Sequence, residues 1–328
     1  MTQTGKIALE EHVAVQQTLD DSRPFVPEHL WPELRHRLLD VHGTRLAQMD
    51  ACGIELMLLS LNSPAVQAVP DRAAARELAE RANDELATQV ARNPARFQGL
   101  AALPMQDPEA ACRELERAVR ELGFRGVLVN GFSQVDEPDN CVYLDDLRYR
   151  PFWALVEALD VPFYLHPRNP IASWAQIYHG AEWLLGPTWA FGQETAVHAL
   201  RLMGSGLFDA HPRLKIVLGH MGEGIPFSLW RIDHHNAWME AAPRYPALHP
   251  MAHYVRQNIW LTVSGNFSTP ALVNALSVVG ADRILFSTDW PFENVDHAAT
   301  WFDALDLDAS TRYRIARGNA AALFRLGT

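Results

Sequence analysis

The chain has 328 residues, of which 48% are apolar and 20% charged, with a formal net charge of −11. That is enough apolar mass for a substantial core, and the acidic balance argues against nucleic acid or an anionic membrane as partner. Cys52, Cys112 and Cys141 are odd in number and form no Cys-x-x-Cys, which excludes zinc ribbons and dithiol redox motifs and predicts a reducing, cytoplasmic setting. No run reaches the roughly 20 apolar residues of a membrane span, and the N-terminus does not read as a signal peptide.

The first predicted element is a strand over residues 6–12, an apolar run ending in two carboxylates and an imidazole. Side chains alternate along a strand, so Glu10 and His12 share one face and Glu11 takes the other. An oxygen donor and a nitrogen donor two residues apart make half of a divalent-metal site. The proline-rich stretch from Arg23 to Pro32 reads as a long functional loop, with Phe25 a candidate pocket wall. A helix over 44–51 leads to a buried second strand over 54–61, and Asp71 caps the long helix after it. Residues 97–103 form the third strand, and Asp107-Pro108 opens a helix with a cap and a first-turn proline.

The fourth strand, 126–130, ends in Asn130, an amide able to hold a phenol or a carboxylate. An acidic, irregular loop carrying Asp136, Glu137 and Asp139 runs to about residue 147. After a helix near 151–159, the fifth strand, 162–166, ends in His166. An aromatic loop follows with Trp174, Trp183, Trp189 and Phe191, which either shape a flat pocket or pack internally. The sixth strand, 215–218, turns through Gly219-His220-Met221-Gly222-Glu223-Gly224, placing Glu223 within one helical turn of His220. The next helix carries Arg231 and Asn236. The seventh strand, 259–263, runs into Ser264-Gly265-Asn266. The eighth, 283–286, exits through Ser287-Thr288-Asp289-Trp290-Pro291, and helices near 297–305 and 310–326 close the chain.

Eight strands alternating with helices, with no repeat or linker between them, predict a single (β/α)8 TIM-barrel domain over residues 1–328. Ligand-type residues end the first, fourth, fifth, sixth and eighth strands, at the rim where barrel enzymes keep their chemistry. A metal-centred active site is the expectation. Of the 28 basic residues only Lys6 and Lys215 are lysines, and both stand where strands begin. Schiff-base chemistry and a lysine bridging two metals need a lysine at the other mouth, so both are set aside.

Glu10-x-His12, His166 in Leu-His-Pro-Arg-Asn-Pro, His220 in Gly-His-Met-Gly-Glu-Gly and Asp289 in Ser-Thr-Asp-Trp-Pro resemble the amidohydrolase superfamily, and more narrowly its non-oxidative aromatic acid decarboxylases. The likeness spans essentially the whole chain, through residues 128–134 and 284–293 to Asn319-Ala320 and Leu323-Phe324. Hydrolytic members usually open with His-x-His, and many carry a bridging lysine on the fourth strand. Here Glu10 takes the first position and the fourth strand ends in Asn130, which points to one metal and to the decarboxylase branch. The resemblance implies a homotetramer (or homodimer) and one divalent ion, Mn2+ or Zn2+, held by Glu10, His12, His166 and Asp289, with no organic cofactor. It also implies a pocket for a small aromatic acid built from Phe25, Asn130, Arg231 and Asn236, with Arg231 reaching in from a neighbouring subunit. Trp189 and Phe191 are the candidate aromatic walls.

The activity so implied is that of a carboxy-lyase: an ortho-hydroxybenzoate, with 2,6-dihydroxybenzoate first among the candidates, loses CO2 reversibly to give a phenol, here resorcinol. Protonating the ring carbon that bears the carboxylate breaks aromaticity, the ortho oxygen supplies the electrons, and C–C cleavage restores the ring. Asp289 is the candidate proton donor, and His220 backed by Glu223 the candidate positioning or relay group. Decarboxylation of 2,3-dihydroxybenzoate or salicylate, and lactone or amide hydrolysis by water activated on the same metal, stay open at the level of sequence.

Overall fold

The eight apolar runs assemble side by side in chain order. A computed structural model describes residues 5–238 and 245–327, the side chain of Phe25 excepted. Its strands are β1 (Lys6–Val13), β2 (Ile54–Leu61), β3 (Phe97–Ala101), β4 (Gly126–Asn130), β5 (Phe163–His166), β6 (Ile216–Leu218), β7 (Ile259–Thr262) and β8 (Ile284–Leu285). Each pairs in parallel with its successor, giving a (β/α)8 TIM barrel. Strands covered on both faces need apolar residues at nearly every position, which is why these runs stand out in the sequence. Ile7, Leu9, Leu58, Leu128, Tyr164 and Val217 fill the barrel interior, closed off by Leu323 and Phe324 of the last helical turns. Ala8, Met57, Leu59, Val129 and Leu165 face outward into the helical layer.

Caps behave as their residue types dictate. Asp71 accepts from Ala74 N at 2.8 Å at the start of the helix Arg72–Arg92, and Asp107 accepts from Glu109 N and Ala110 N ahead of Pro108–Arg120. Two stretches differ from expectation. Part of the proline-rich loop is a helix, Trp31–Leu39, with Trp31, Leu34 and Leu38 buried. Pro32 lies in its first turn, where a missing N–H costs nothing. The acidic loop after β4 is an antiparallel hairpin, Ser133–Val135 with Glu137–Val142. Its exposed carboxylates stand on the solvent side, where Asp136 pairs with Arg72 at 2.8 Å. No helix among the described residues is long and apolar enough to cross a membrane.

The seam between β8 and β1 is closed by side chains, with no backbone ladder between them among the described residues. Ser287 Oγ accepts from Leu9 N (3.3 Å) and Glu10 N (2.8 Å) and donates to Glu11 Oε1 at 3.0 Å. Thr288 donates to the same carboxylate from its N–H (2.9 Å) and its hydroxyl (2.6 Å). His12 N donates to Trp290 O at 2.6 Å.

Candidate metal centre

The aim of β1 depends on a bulge. Ala8 is in register with Met57 and Glu11 with Leu59, so three steps on β1 match two on β2. The extra residue resets the alternation, because without it Ile7 and Leu9 facing inward would leave Glu10 and His12 among the outer helices. With it, Glu10 and His12 enter the barrel and Glu11 turns to the seam.

Inside the rim the candidate ligands converge. Donor atoms of Glu10, His12 and His166 all lie within 4.8 Å of one another, as do those of Glu10, His220 and Asp289. His166 Nε2 is 3.1 Å from Glu10 Oε1, and His12 Nε2 is 3.4 Å from Asp289 Oδ1. His220 Nε2 stands 3.8 Å from Glu10 Oε1 and 3.7 Å from Asp289 Oδ2, so His220 shares the space of the four expected ligands. Glu10 Oε1 and His12 Nε2 are buried with no hydrogen-bond partner. Orphaned donors of this kind, in a cluster of two carboxylates and three imidazoles, fit a divalent cation.

Neighbouring groups fix each side chain. His12 Nδ1 is 3.3 Å from both Leu61 O and Ser60 Oγ, which orients the ring. Tyr164 O–H donates to Glu10 Oε2. His220 Nδ1 is 2.7 Å from Glu223 Oε1. A Cβ on Gly265 would fall 2.8 Å from His220 Cδ2 and 2.9 Å from Asp289 Oδ2, so only glycine lets β7 approach here. His220, Met221 and Glu223 all have positive φ (51°, 61° and 56°), as does Asp289 (63°). Strain held at four non-glycine positions around one cluster marks a functional site.

Burial sets the protonation of these groups against their neighbours. It pushes Glu10 and Asp289 upward, but facing imidazoles overcome it and hold both carboxyls below the usual range: His220, His166 and His12 for Glu10, His12 and His220 for Asp289. Burial depresses the imidazoles. It prevails at His166, whereas Asp289 and Glu10 raise His12, and Glu223 and Glu10 raise His220 well above its ordinary value. The cluster thus draws Glu10 and Asp289 toward their ionised forms and His220 toward its charged form.

A cavity of about 340 Å³ opens beside Asp289, His220, Glu223 and Glu293, walled by Trp189 and Phe191. Asn130 lies across the β4–β5 ladder from His166. Its Nδ2 donates to Asn62 O at 3.1 Å, and its Oδ1 is buried without a partner. Arg231 and Asn236 are not brought to this cavity within one chain: Arg231 is exposed on the helix Ile225–Trp238, and Asn236 lines a separate hollow with Arg201 and Met251. The side chain of Phe25 lies outside the described residues. Sequence reasoning missed Glu11, Ser287, Thr262 and Tyr164. For Tyr164 a signal existed, since a residue two before His166 on a strand shares its face.

A parallel eight-stranded barrel that gathers carboxylates and imidazoles at the ends of β1, β5, β6 and β8 is an amidohydrolase-type barrel, and the chain belongs to the amidohydrolase family, whose model matches residues 29–326. Within that family it is similar to the γ-resorcylate decarboxylases of Polaromonas sp. (63% identical over 322 residues, 98% of this chain and 99% of that one) and Rhodococcus jostii (61% over 325 residues, 98% and 99%). Among solved structures it superimposes on a 2,6-dihydroxybenzoate decarboxylase complexed with 2,6-dihydroxybenzoate (60% identity, 99% and 100% of the two chains, TM-score 0.97). It also superimposes on the Polaromonas dihydroxybenzoic acid decarboxylase with bound manganese and 2-nitroresorcinol (63%, 99% and 98%, TM-score 0.96).

Proposed function

We propose that this protein is a carboxy-lyase that removes CO2 from 2,6-dihydroxybenzoate to give resorcinol, reversibly, with one divalent ion held by Glu10, His12, His166 and Asp289. The observation that carries this is the buried, orphaned donors of Glu10 and His12 clustered with Asp289 and His220, two residues that line the aromatic-walled cavity. Two relatives above 60% identity named for this decarboxylation support the choice of substrate, and so does 2-nitroresorcinol, whose nitro group sits between two hydroxyls as the acid's carboxylate does. Two carboxylates in the donor set, and the manganese in one relative, favour Mn2+ over Zn2+. No organic cofactor is needed, because the ortho oxygen supplies the electrons.

Bound there, the ion supplies a template and Lewis acid for the substrate carboxylate and ortho oxygen. Trp189 and Phe191 wall the ring. Asp289 delivers the proton to the ring carbon bearing the carboxylate. His220, charged and steadied by Glu223, replenishes Asp289 from 3.7 Å away. Asn130 keeps an unpaired amide oxygen for a phenolic hydroxyl.

The chain acts as one barrel domain within a homotetramer. On the helix Ile225–Trp238 the large apolar side chains Phe227, Trp230 and Trp238 are 85%, 74% and 78% exposed, a surface suited to a second copy. Arg231 stands on that same helix, which supports its reaching, with Asn236, the site of a neighbouring subunit. Three free cysteines support a cytoplasmic setting. The test is a substrate panel on Mn2+-reconstituted protein: 2,6-dihydroxybenzoate, 2,3-dihydroxybenzoate, salicylate and an aryl lactone. We expect CO2 and resorcinol from the first at the highest kcat/KM. Ring opening of the lactone without CO2 from any acid would replace the decarboxylase reading with a hydrolase.

A further inference from the structure

The two oxygens of Glu10 lead different lives. Oε1 faces His166 and His220 and has no hydrogen-bond partner. Oε2 points down the barrel axis, where it accepts from the Tyr164 hydroxyl, with Thr262 Oγ1 3.4 Å away. Tyr164 has one proton and spends it on Glu10, so the Thr262 hydroxyl, 2.9 Å from the phenol oxygen, supports the phenol from behind. The tyrosine cannot retreat: it is fully buried, its ring set among Leu9, Leu128, Val217 and Leu285 in the barrel interior. The backbone of β6 closes the remaining side, since a Cβ on Gly219 would lie 2.9 Å from Oε2 and 3.3 Å from the phenol oxygen.

We infer that Tyr164, backed by Thr262, is a positioning residue that confines Glu10 to one oxygen toward the metal, and so selects an ion with a compact coordination shell over one that seeks both oxygens of a carboxylate. A phenol donating to a carboxylate oxygen takes one of that oxygen's two lone pairs and fixes the plane of the group, which leaves Oε1 as the freer donor. Ca2+ takes six to eight oxygens and readily chelates a carboxylate through both, whereas manganese suits a smaller set. The hydroxyl of Tyr164 thus acts on the choice of metal without touching metal or substrate. This rests on the reading that the cluster holds a divalent ion.

The test uses the full-length protein and two variants, Tyr164→Phe, which keeps the ring, and Thr262→Val. Dissociation constants for Mn2+ and for Ca2+ are measured by calorimetry and by the electron paramagnetic resonance signal of free Mn2+, alongside melting of the metal-free proteins. We expect Tyr164→Phe to weaken Mn2+ about 10- to 100-fold while Ca2+ binding holds or strengthens, so that the preference for Mn2+ falls by at least about tenfold. Thr262→Val should shift the preference the same way by a smaller factor, and it decides the matter if Tyr164→Phe does not fold. A preference within about twofold of the parent, or equal losses for both ions, overturns the inference. A parent protein that binds no Mn2+ would instead sink the metal reading beneath it.

Discussion

The two mouths of the barrel treat charge in opposite ways. Where strands begin, cations meet carboxylates that reach solvent, in complete pairs: Lys6 with Asp303 at 2.8 Å, Lys215 with Asp160 at 2.6 Å, Arg317 with Glu55 at 2.8 Å. Where strands end, Glu10 and His12 are fully buried and carry donor atoms with no hydrogen-bond partner among the described residues. Pairs of the first kind contribute about 0–1 kcal/mol each. A buried polar atom left unpaired costs about 1–3 kcal/mol. One mouth is built for stability, and the other gives stability up to keep a set of donors ready for a cation.

The sharpest way to break this contrast is at Asp289. Asp289→Asn preserves shape and removes both the ionisable carboxyl and a charged donor, and we expect turnover to fall about 10²–10⁴-fold with the melting temperature of the metal-free protein unchanged or raised. Near-normal turnover would take Asp289 out of the proton-donor role. A smaller, graded effect lies in pH. Although burial opposes it, Asp289 and Glu10 hold the His12 imidazole above its ordinary value, and an imidazole must be neutral to bind a metal. Mn2+ affinity should therefore rise as pH rises through and beyond the ordinary imidazole range, with proton release on binding. Calorimetry in two buffers of different ionisation heat measures both, and a pH-independent constant with no proton release would remove His12 from the ligand set. The smallest effect belongs to the opposite mouth: Lys6→Met should lower stability by about 1 kcal/mol or less in urea melts and leave kcat/KM as it was.

Much of this could be read before the fold was known. All eight strands are legible because a parallel strand buried on both faces shows itself as an unbroken apolar run. The strand-end residues Glu10, His12, His166, His220 and Asp289 stand out for the same reason, as polar stops to such runs. What eluded reading depends on contacts between distant segments. The bulge after Ala8 exists only in register with β2, so simple alternation pairs Glu10 with His12 correctly and yet cannot say that they face inward. Tyr164 finds Glu10 across 154 residues. Helix Trp31–Leu39 hid behind Pro32, which a first turn tolerates, and the hairpin at 133–142 hid behind exposed acidic residues that mask strand character. Arg231 and Asn236 carry no local sign of the exposed helix face and the separate hollow where the fold places them.

The stitching at Ser287 and Thr288 has a consequence for how the protein is born. The carboxylate of Glu11 and the hydroxyls that grip it are 276 and 277 residues apart, and Asp289 rides on the same stretch. A chain that has assembled only its earlier strands presents the early imidazoles without the late carboxylate. The cluster is complete only when the first and last strands of the barrel are sewn together, so it arrives with the finished fold and not before it.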